Sequence, residues 1–514
     1  MVLPIDNPTK SYWIEAAGSR LRNFRSTDEL PKEVDVVIVG SGYTGATTAY
    51  WLHKYTEKNG QQPKVLMLEA RDICGGATGR NGGQLRPHAY SRYPLWSGRF
   101  GPDGALALIK HEMAHLPAFK ELLDVEVIAE EVCFKLGETF DAAMSDEAWI
   151  RLKGAYEAFK KDHGQDGEVI RDCRLIDDPE AAEEFTQMKG CIGAVVHPSG
   201  QIWPYKFVHA MLRIVMESGN LNLQANTPAT SVSKRDATGW ITVQTPRGEV
   251  RTKTVMHATN RWASHLLPSF SNLIFAGRAT LAAIRAPEGF IKNTGAQHWD
   301  SLVNNYNLQL PPPYNTIMVG GAKQVLVHNP RGYLNNDEED KQFNGVPKFY
   351  MSWPASDIVG WQGGDPAELG KPVDEGGVWT GIMSSSVDAF PFVGAVPDHD
   401  CHFIAAGYTG HGKRFVKSKD GLKKDTDNVE GMPRVLLSSA HIAPLILDSL
   451  GLEYTAPALV ASYPPLPEPF HVTKERVESL QKLDAAALLE ASVKLSLESA
   501  EKPFCNDARV RGVM

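Results

Sequence analysis

The sequence predicts an α/β protein whose first sheet is parallel, and three neighbouring segments lead to this fold class. Val34–Val39 is a short, nearly continuous run rich in β-branched residues, which is typical of a central parallel strand buried on both faces. It runs directly into the turn Gly40–Gly45, and residues 44–58 follow as a predicted helix. Lys64–Glu69 is the second predicted strand. Together these segments have about the ~30 residues of a βαβ unit.

The composition is that of a globular chain and excludes several classes of protein. Of the 514 residues, 42% are hydrophobic and 22% charged, and 53 Lys+Arg against 61 Asp+Glu give a net charge of −8. A mildly acidic chain argues against general nucleic-acid binding, which needs a basic face. No apolar run reaches the roughly 20 residues that cross a bilayer. We therefore expect no nucleic-acid or membrane partner, infer no protein partner, and expect two lobes, because single cores stop growing near ~250–300 residues.

The cysteines and the chain ends point to a reducing compartment. The six cysteines are scattered and none forms Cys-x-x-Cys, so neither a zinc knuckle nor a redox pair is predicted, and no metal site is expected. The polar stretch 1–25 lacks the apolar segment of a signal peptide. The chain does not end in Ser-Lys-Leu, which would be a peroxisomal address. The expected localisation is cytoplasmic.

The turn after the first strand, Gly-x-Gly-x-x-Gly, is a phosphate-binding device when a helix follows it, since the helix N-terminus offers backbone N–H groups. Gly40 allows the tight turn, Gly42 lets the backbone approach a pyrophosphate, and Gly45 lets the helix pack on the strand. Glu69 ends the second strand, where a carboxylate accepts ribose hydroxyls and repels a 2′-phosphate. The motif therefore predicts FAD or NAD rather than NADP, with a plain turn and a solvated strand end as the alternatives.

A second glycine-rich segment, Gly76–Gln84, follows the second strand almost at once and favours FAD over NAD. An NAD enzyme usually continues into another βαβ repeat at this point. Glycines allow the close approach of an extended ligand, and Arg80 supplies a positive charge for phosphate. The alternative interpretation is an exposed surface turn.

With these segments the chain resembles the FAD-dependent amine and amino-acid oxidases of the D-amino acid oxidase superfamily. The run Gly79–Gln84 is most similar to the γ-glutamylputrescine oxidase branch. Residues 199–204, 257–260, 387–394 and 406–412 resemble further motifs of the superfamily. The resemblance spans about residues 10–460.

The resemblance implies a Rossmann-like FAD-binding domain that carries the Gly-x-Gly-x-x-Gly turn, is assembled from discontinuous segments, and is combined with a mixed-sheet α+β substrate domain. The expected division is an N-terminal arm (1–32), FAD-binding segments (33–99, 196–265 and 376–465), substrate-domain segments (100–195 and 266–375) and a C-terminal helical tail (466–514).

The resemblance also implies which residues contact FAD. Ala229 is expected to meet the adenine through its backbone, and the loop from Gly407 to Gly412 to meet the isoalloxazine ring. The complete expected set is Gly40, Gly42, Tyr43, Thr44, Gly45, Glu69, Ala70, Arg71, Ala77, Thr78, Arg80, Asn81, Gly82, Gly83, Ala229, Ala258, Thr259, Asn260, Gly407, Tyr408, Gly410 and Gly412.

The implied reaction is oxidation of a C–N bond in a small amine or amino acid. A hydride passes to flavin N5, an imine forms, and O2 or another acceptor takes the electrons, with O2 giving hydrogen peroxide. The candidate catalytic residues near the ring are Gln84, Arg86 and His411, and His88 is a weaker candidate. Arg86 is expected to bind a substrate carboxylate or an anionic flavin, with a structural ion pair as the alternative. His411 is expected to hydrogen-bond the flavin edge, or to lock its loop.

Residues 413–431 depart from the resemblance, because they separate the Gly-His-Gly motif from the helix that is expected to follow at once. The segment is either a translated, unspliced intron or a genuine loop. Two further functions therefore stay open: a flavin dehydrogenase or biosynthetic tailoring oxidase with another acceptor or substrate, and an inactive FAD-binding relative disabled by the insertion.

Overall fold

The computed structural model describes residues 3–164, 169–361, 369–374, 376–408, 414–418, 421–425 and 431–514. Within these ranges the chain forms two large sheets flanked by helices. No helix among the described residues is long and apolar enough to cross a membrane. The cysteines, all of them in the described ranges, are free thiols.

The strands define the two sheets and one short hairpin. In chain order they are β1 (Glu33–Val39), β2 (Val65–Leu68), β3 (Gln84–Leu85), β4 (Lys135–Ala143), β5 (Arg174–Ile176), β6 (Gly193–Gln201), β7 (Leu221–Gln224), β8 (Ser231–Val232), β9 (Ile241–Thr245), β10 (Gly248–His257), β11 (Ile274–Arg285), β12 (Thr294–His298), β13 (Asn304–Gln309), β14 (Thr316–Gly320), β15 (Val378–Ser386), β16 (Phe392–Ala395), β17 (His402–Ala406), β18 (Arg414–Ser418) and β19 (Gly421–Asp425).

The helices pack on both sheets and form the C-terminal tail. In chain order they are α1 (Tyr12–Glu15), α2 (Tyr43–Thr56), α3 (Tyr93–Val125), α4 (Asp146–His163), α5 (Pro179–Thr186), α6 (Pro204–Glu217), α7 (Ala263–Leu266), α8 (Lys323–Leu326), α9 (Val346–Asp357), α10 (Met432–Leu450), α11 (Ala458–Ala461), α12 (Lys474–Gln481), α13 (Ala485–Ala500) and α14 (Ala508–Val513). Helix α3 is kinked at Gly101, which has φ 76°.

The first sheet has the strand order β16-β17-β10-β1-β2-β7, with β9 paired to β10 and β8 to β9. Strand β1 is central and parallel to both neighbours, so that Val36 pairs with Val65 of β2 and Thr254 of β10. Its last four residues are all buried. The predicted parallel strand and βαβ unit are therefore confirmed, with β2 ending one residue before Glu69.

The second sheet is mixed, with the order β15-β11-β14-β13-β12-β4-β6-β3 and β5 paired to β6. Strands β12 and β4 are parallel, and the other neighbours are antiparallel. The predicted fold class, a Rossmann-like sheet from separated segments beside a mixed sheet, is confirmed. The predicted domain bounds stay a prediction, since strand pairing alone does not delimit domains.

Sequence patterns predict helices at 144–163, 433–450 and 473–500, and these correspond to α4, to α10 and to the pair α12–α13. The Pro- and Gly-rich stretch 266–375 predicts strands and loops, whereas it also contains the helix α9. Pro354 inside this helix and Gly345 before it mask its period in the sequence, but tertiary packing of the buried Phe349, Tyr350 and Trp353 stabilises it.

Buried histidines make the fold sensitive to acid, and His115 of α3 is the clearest case. Its Nδ1 lies 2.8 Å from the His111 carbonyl, to which it donates, and its Nε2 accepts from Leu437 N–H at 3.3 Å. Protonation would break the second bond, and burial lowers the pKa of His115 to about 4.

We expect stability to be lost as pH falls from about 6.5, the ordinary histidine pKa, toward 4, because the unfolded chain binds the proton first. The His115→Gln variant should flatten this decline, since one proton contributes up to about 1.4 kcal/mol per pH unit. Urea unfolding midpoints measured between pH 4 and 7 test this. An unchanged slope in the variant would contradict the assignment.

Candidate functional site

A large cavity opens where β1, β2 and β10 end. Its wall includes Val39 and Gly40 after β1, Leu68 and Glu69 after β2, and Ala258 after β10. The carboxyl ends of parallel strands are where α/β sheets bind ligands. The cavity holds about 1700 Å³ of empty space when its open mouth is included. Its size suits an extended ligand.

The glycine turn brings β1, β10 and α2 into direct backbone contact. Gly40 has φ +104°, and a Cβ there would lie 2.7 Å from the Ala258 carbonyl oxygen. A Cβ on Gly45 would lie 2.0 Å from the Gly40 carbonyl oxygen. Both distances are too short for any side chain, so these glycines permit the packing that sets the first turn of α2 in the cavity wall.

The N-terminus of α2 faces the cavity through Gly42, Tyr43 and Thr44. Gly42 is the N-cap and has no side chain to satisfy the first N–H groups. Instead, Thr78 Oγ1 accepts from Tyr43 N–H at 3.1 Å. The second glycine-rich segment therefore contacts the first, and the positive end of a 14-residue helix points at the ligand space.

Glu69 is held in place by the chain around it. Its Oε2 accepts from Ser41 N–H at 3.0 Å and from Ser41 Oγ–H at 2.7 Å, and its Oε1 accepts from Arg71 N–H at 3.1 Å. A carboxylate has about four acceptor positions. The half-buried side chain, which lines the cavity, thus keeps acceptor capacity for a ligand hydroxyl.

Arg71 and Arg80 share a buried carboxylate, Glu339, which is 2% exposed. Arg71 Nη1 lies 2.8 Å from Glu339 Oε2, and Arg80 Nε lies 3.4 Å from Glu339 Oε1. Arg80 also donates to the Gly75 and Thr380 carbonyls at 2.8 and 2.9 Å. Burial lowers the pKa of Arg80. The Arg80 guanidinium therefore joins the 75–83 loop to the second sheet.

Asn260 links the end of β10 to the C-terminal motif. Its φ is +48°, and its Oδ1 accepts from Ser384 Oγ–H at 2.6 Å and from the backbone N–H groups of Gly407 and Tyr408 at 3.0 and 3.2 Å. One side chain thus holds together three segments of the cavity wall that lie far apart in the sequence.

The far end of the cavity is mainly apolar and is built by the second sheet and by α10. The Tyr306 ring of β13 packs on Gly82, where a Cβ would lie 2.6 Å from the ring. Burial raises the pKa of Tyr408, which also lines the cavity. The other lining residues at this end are Ala279, Leu281, Gly381, Ile382, Met383, Met432 and Val435.

Most of the predicted site residues lie in this wall. Those that line the cavity are Gly40, Gly42, Tyr43, Thr44, Glu69, Ala70, Arg71, Ala77, Thr78, Arg80, Asn81, Gly82, Gly83, Gln84, Ala229, Ala258, Thr259, Asn260 and Tyr408. Gly45 packs behind Gly40, and Gly407 contacts Asn260. His411, Gly410 and Gly412 lie outside the described residues.

The structure places Arg86 outside this wall, in a second cavity with His88. Its Nη2 forms an ion pair with Asp141, and its Nε donates to Thr139 Oγ1 at 3.1 Å. This is the ion pair that the sequence left open as the alternative to a direct role beside the flavin. No sequence motif around Asp141 predicts its contact with Arg86.

No sequence pattern indicated that Glu339 or the N-terminal segment takes part in the site. Leu3 and Pro4 line the cavity, and Trp13 Nε1 donates to the Asn81 carbonyl at 2.6 Å. Nothing in a local pattern connects residue 339 to residues 71 and 80, because the pairing depends on how two sheets meet.

Replacing Glu69 by Gln is expected to lower the affinity for a ribose-bearing ligand by about 10- to 100-fold, because charge-assisted hydrogen bonds are worth about 1.5–3 kcal/mol. FAD titration followed by flavin fluorescence measures this. Glu29→Gln, which changes an exposed carboxylate that does not line the cavity, is the matched control. Equal affinity in both variants would remove Glu69 from the ligand site.

The chain is similar to known proteins both in sequence and in structure. A family model described as DAO, FAD dependent oxidoreductase, matches residues 35–415. The gamma-glutamylputrescine oxidoreductase of Escherichia coli (strain K12) is 25% identical over 419 residues, which cover 79% of this chain and 85% of that protein.

Solved structures share the fold. Glycine oxidase from Geobacillus kaustophilus is 19% identical with a TM-score of 0.56, covering 86% of this chain and 99% of that one. L-proline dehydrogenase from P. horikoshii is 18% identical with a TM-score of 0.57, covering 85% and 98%.

Proposed function

Because the chain belongs to the DAO family of FAD-dependent oxidoreductases, we propose that it oxidises a C–N bond of a small amine or amino acid at the cavity described above. The family membership confirms the predicted cofactor, FAD. The observation that carries the proposal is the shape of the cavity, which continues from the α2 N-terminus and Glu69 to an apolar end lined by Tyr306 and Met383.

The chemistry of the residues that line the cavity fits FAD. Among the residues that the structure describes, Gln84 Oε1, Thr259 Oγ1 and His265 Nε2 are buried, without a hydrogen-bond partner, on side chains that line the cavity. Buried polar atoms are normally satisfied, so these three indicate a polar ligand. The α2 N-terminus would hold the pyrophosphate, Glu69 a ribose, and the 78–84 segment the remainder of the dinucleotide.

The chain's own residues orient the substrate and exclude water. When bound, FAD supplies the acceptor for the two electrons that an amine gives up as it becomes an imine. The apolar side chains of Leu281, Met383 and Met432 keep the reacting carbon dry and favour a neutral amine, because burial disfavours its charged form. Gln84 Nε2 donates to the Asn307 carbonyl at 3.1 Å. This bond leaves its Oε1 directed to accept from a ligand N–H.

The amine or amino-acid substrate and the electron acceptor are parts of the same proposal. The E. coli relative is named for gamma-glutamylputrescine, which supports an amine as substrate. We propose O2 as acceptor, with hydrogen peroxide as product, and a cytoplasmic location, which the six free thiols support.

The test is a panel of amines and amino acids offered to the purified yellow protein. Under the proposal, one class bleaches the flavin absorbance under anaerobic conditions and releases peroxide stoichiometrically in air. Bleaching without peroxide would indicate a dehydrogenase with another acceptor. A flavin that no amine or amino acid on a broad panel reduces would overturn the proposed reaction.

The segment 413–431 bears on whether the chain as written is active. Its strands β18 and β19 pair as an antiparallel hairpin, and α10 follows with Met432 and Val435 in the cavity wall. Sequencing the transcript decides between the two origins. A message that keeps these codons in every copy refutes a retained intron and leaves a genuine loop.

A further inference from the structure

The first part of the N-terminal arm, residues 3–15, lies against the second glycine-rich segment, and we call it the strap. At one end of the strap, Leu3 and Pro4 line the cavity. Near its other end, Trp13 is fully buried, and its Nε1 donates to the Asn81 carbonyl at 2.6 Å. The proposed reaction makes no use of the strap.

Two buried guanidiniums hold the middle of the strap through its backbone. Arg71 Nη1 donates to the Ile5 carbonyl at 3.0 Å, and Arg80 Nη1 donates to the Thr9 carbonyl at 2.7 Å. Both arginines also donate to the Gly75 carbonyl, at 3.2 and 2.8 Å. The same two side chains therefore fix the strap and the chain just before the glycine-rich segment.

Thr9 and Ser11 bond the strap to both of its neighbours. Thr9 N–H donates to the Glu339 carbonyl at 2.9 Å, and Thr9 Oγ1 accepts from Thr380 N–H of β15 at 2.8 Å. Ser11 is fully buried, and its Oγ–H donates to the Gly79 carbonyl at 2.7 Å. The strap is thus bonded to the mixed sheet as well as to the glycine-rich segment.

The glycine-rich segment has the strap on one side and the cavity on the other. Residues 76–78 and 80–84 line the cavity, while backbone carbonyls of the segment accept from Ser11 and Trp13. A Cβ on Gly83 would lie 2.9 Å from the Trp13 ring, so this ring packs directly on the backbone. Glycine loses more conformational freedom on folding than any other residue, so ordering this segment is costly.

We propose that the strap and FAD bind cooperatively: FAD in the cavity holds the strap in place, and loss of FAD raises the fraction of chains in which the strap is detached. Both partners order the same glycine-rich backbone, so the one that binds first lowers the entropic cost for the other. The coupling is reciprocal, since a strap that favours FAD is favoured by FAD to the same degree. The inference rests on FAD binding at the cavity and is independent of the substrate.

The first experiment follows trypsin cleavage after Lys10, which is exposed, whereas the next residue, Ser11, is fully buried. Cleavage of this bond therefore requires the strap to detach locally. The full-length protein is compared in its FAD-stripped and reconstituted forms, and the fragments are identified by mass spectrometry. At an FAD concentration of about 100 times its Kd, we expect cleavage after Lys10 to slow by tenfold or more, because the rate follows the detached fraction.

Cleavage after Lys234, in the exposed connection between β8 and β9, is the internal control and should keep its rate when FAD is added. Equal slowing at both sites would show that FAD acts on the whole fold and not on the strap. A rate after Lys10 that ignores FAD, or no cleavage there even in the stripped protein, would show that the strap is not coupled to the cofactor. Each of these results would overturn the proposal.

The second experiment tests the reciprocal effect with Ser11→Ala, which removes the hydroxyl that donates to Gly79. Neither of these two residues lines the cavity. We expect the FAD affinity, measured by flavin fluorescence, to fall by about 2- to 10-fold, the worth of one hydrogen bond, and cleavage after Lys10 to accelerate. Ser492→Ala removes a buried hydroxyl that donates to the Leu488 carbonyl within α13 and should change neither.

The outcomes of the second experiment separate the strap from the cofactor assignment. Faster cleavage after Lys10 in Ser11→Ala with an unchanged FAD affinity would show that the strap opens independently of FAD. Unchanged cleavage and affinity would show that this bond does not hold the strap, and either result would contradict the proposed coupling. A parent protein that binds no FAD at all would instead refute the cofactor site, so the two proposals fail separately.

Discussion

A Gly45→Ala variant is expected to lose FAD affinity by two orders of magnitude or more, equal to about 2.8 kcal/mol. The added Cβ would lie 2.0 Å from the Gly40 carbonyl oxygen and 3.4 Å from Ile38 Cγ2. The first of these is backbone, so α2 must move away from β1, and with it the N–H groups of its first turn. Overpacking of this kind also costs about 1–3 kcal/mol of folding free energy.

The matched control is Gly154→Ala. Gly154 lies in the exposed middle of α4, and a Cβ there meets nothing within 4 Å. Alanine is the better helix former by about 1 kcal/mol, so this variant should be as stable as the parent or more so and bind FAD normally. Flavin fluorescence on titration of the apoprotein measures both affinities. Normal affinity in Gly45→Ala would mean that FAD does not depend on the α2 N-terminus.

The second large effect is expected at a buried ion pair between α3 and α10. Arg434 Nη2 lies 2.6 Å from Glu112 Oε1, and both side chains are at most 1% exposed. Removing one partner from a buried pair costs about 3–5 kcal/mol, because the other charge stays buried and uncompensated. We expect Arg434→Met to lower the urea midpoint accordingly, and to weaken FAD retention since the neighbouring Met432 and Val435 line the cavity.

Replacing both partners of the ion pair separates the effect of the uncompensated charge on stability from the effect of lost packing. Glu112→Met combined with Arg434→Met should recover most of the lost stability, since apolar pairs often replace buried ion pairs without cost. Arg213→Met, at a pair where the side chains are 45% and 48% exposed, should change stability by less than about 0.5 kcal/mol. A double variant as unstable as Arg434→Met would show that packing, and not the uncompensated charge, accounts for the loss.

The first βαβ unit was predictable because its determinants are local. The β-branched run, the glycine turn and Glu69 lie within 40 residues of one another, and each requires a particular backbone or charge at one place. The structure arranges them as the pattern predicts, with Gly40 against Ala258 and Glu69 in the cavity wall.

The rest of the site depends on long-range pairing that no local pattern carries. Glu339 approaches Arg71 and Arg80 only because the mixed sheet packs beside the parallel one. The resemblance implies a position near the flavin for Arg86, whereas the ion pair with Asp141 holds its side chain in the second cavity. Likewise Tyr306 and Met383 reach the cavity from β13 and β15, whose sequences contain no charged residue and no phosphate-binding motif.

The account depends most directly on FAD occupancy of the cavity between the α2 N-terminus and Met383. The decisive measurement is the flavin content per chain of the purified protein, taken from its absorbance spectrum and repeated after FAD is added to the stripped protein. We predict a yellow protein with one FAD per chain, and reconstitution to the same ratio. A folded, colourless protein that takes up no FAD from a saturating solution would contradict the account.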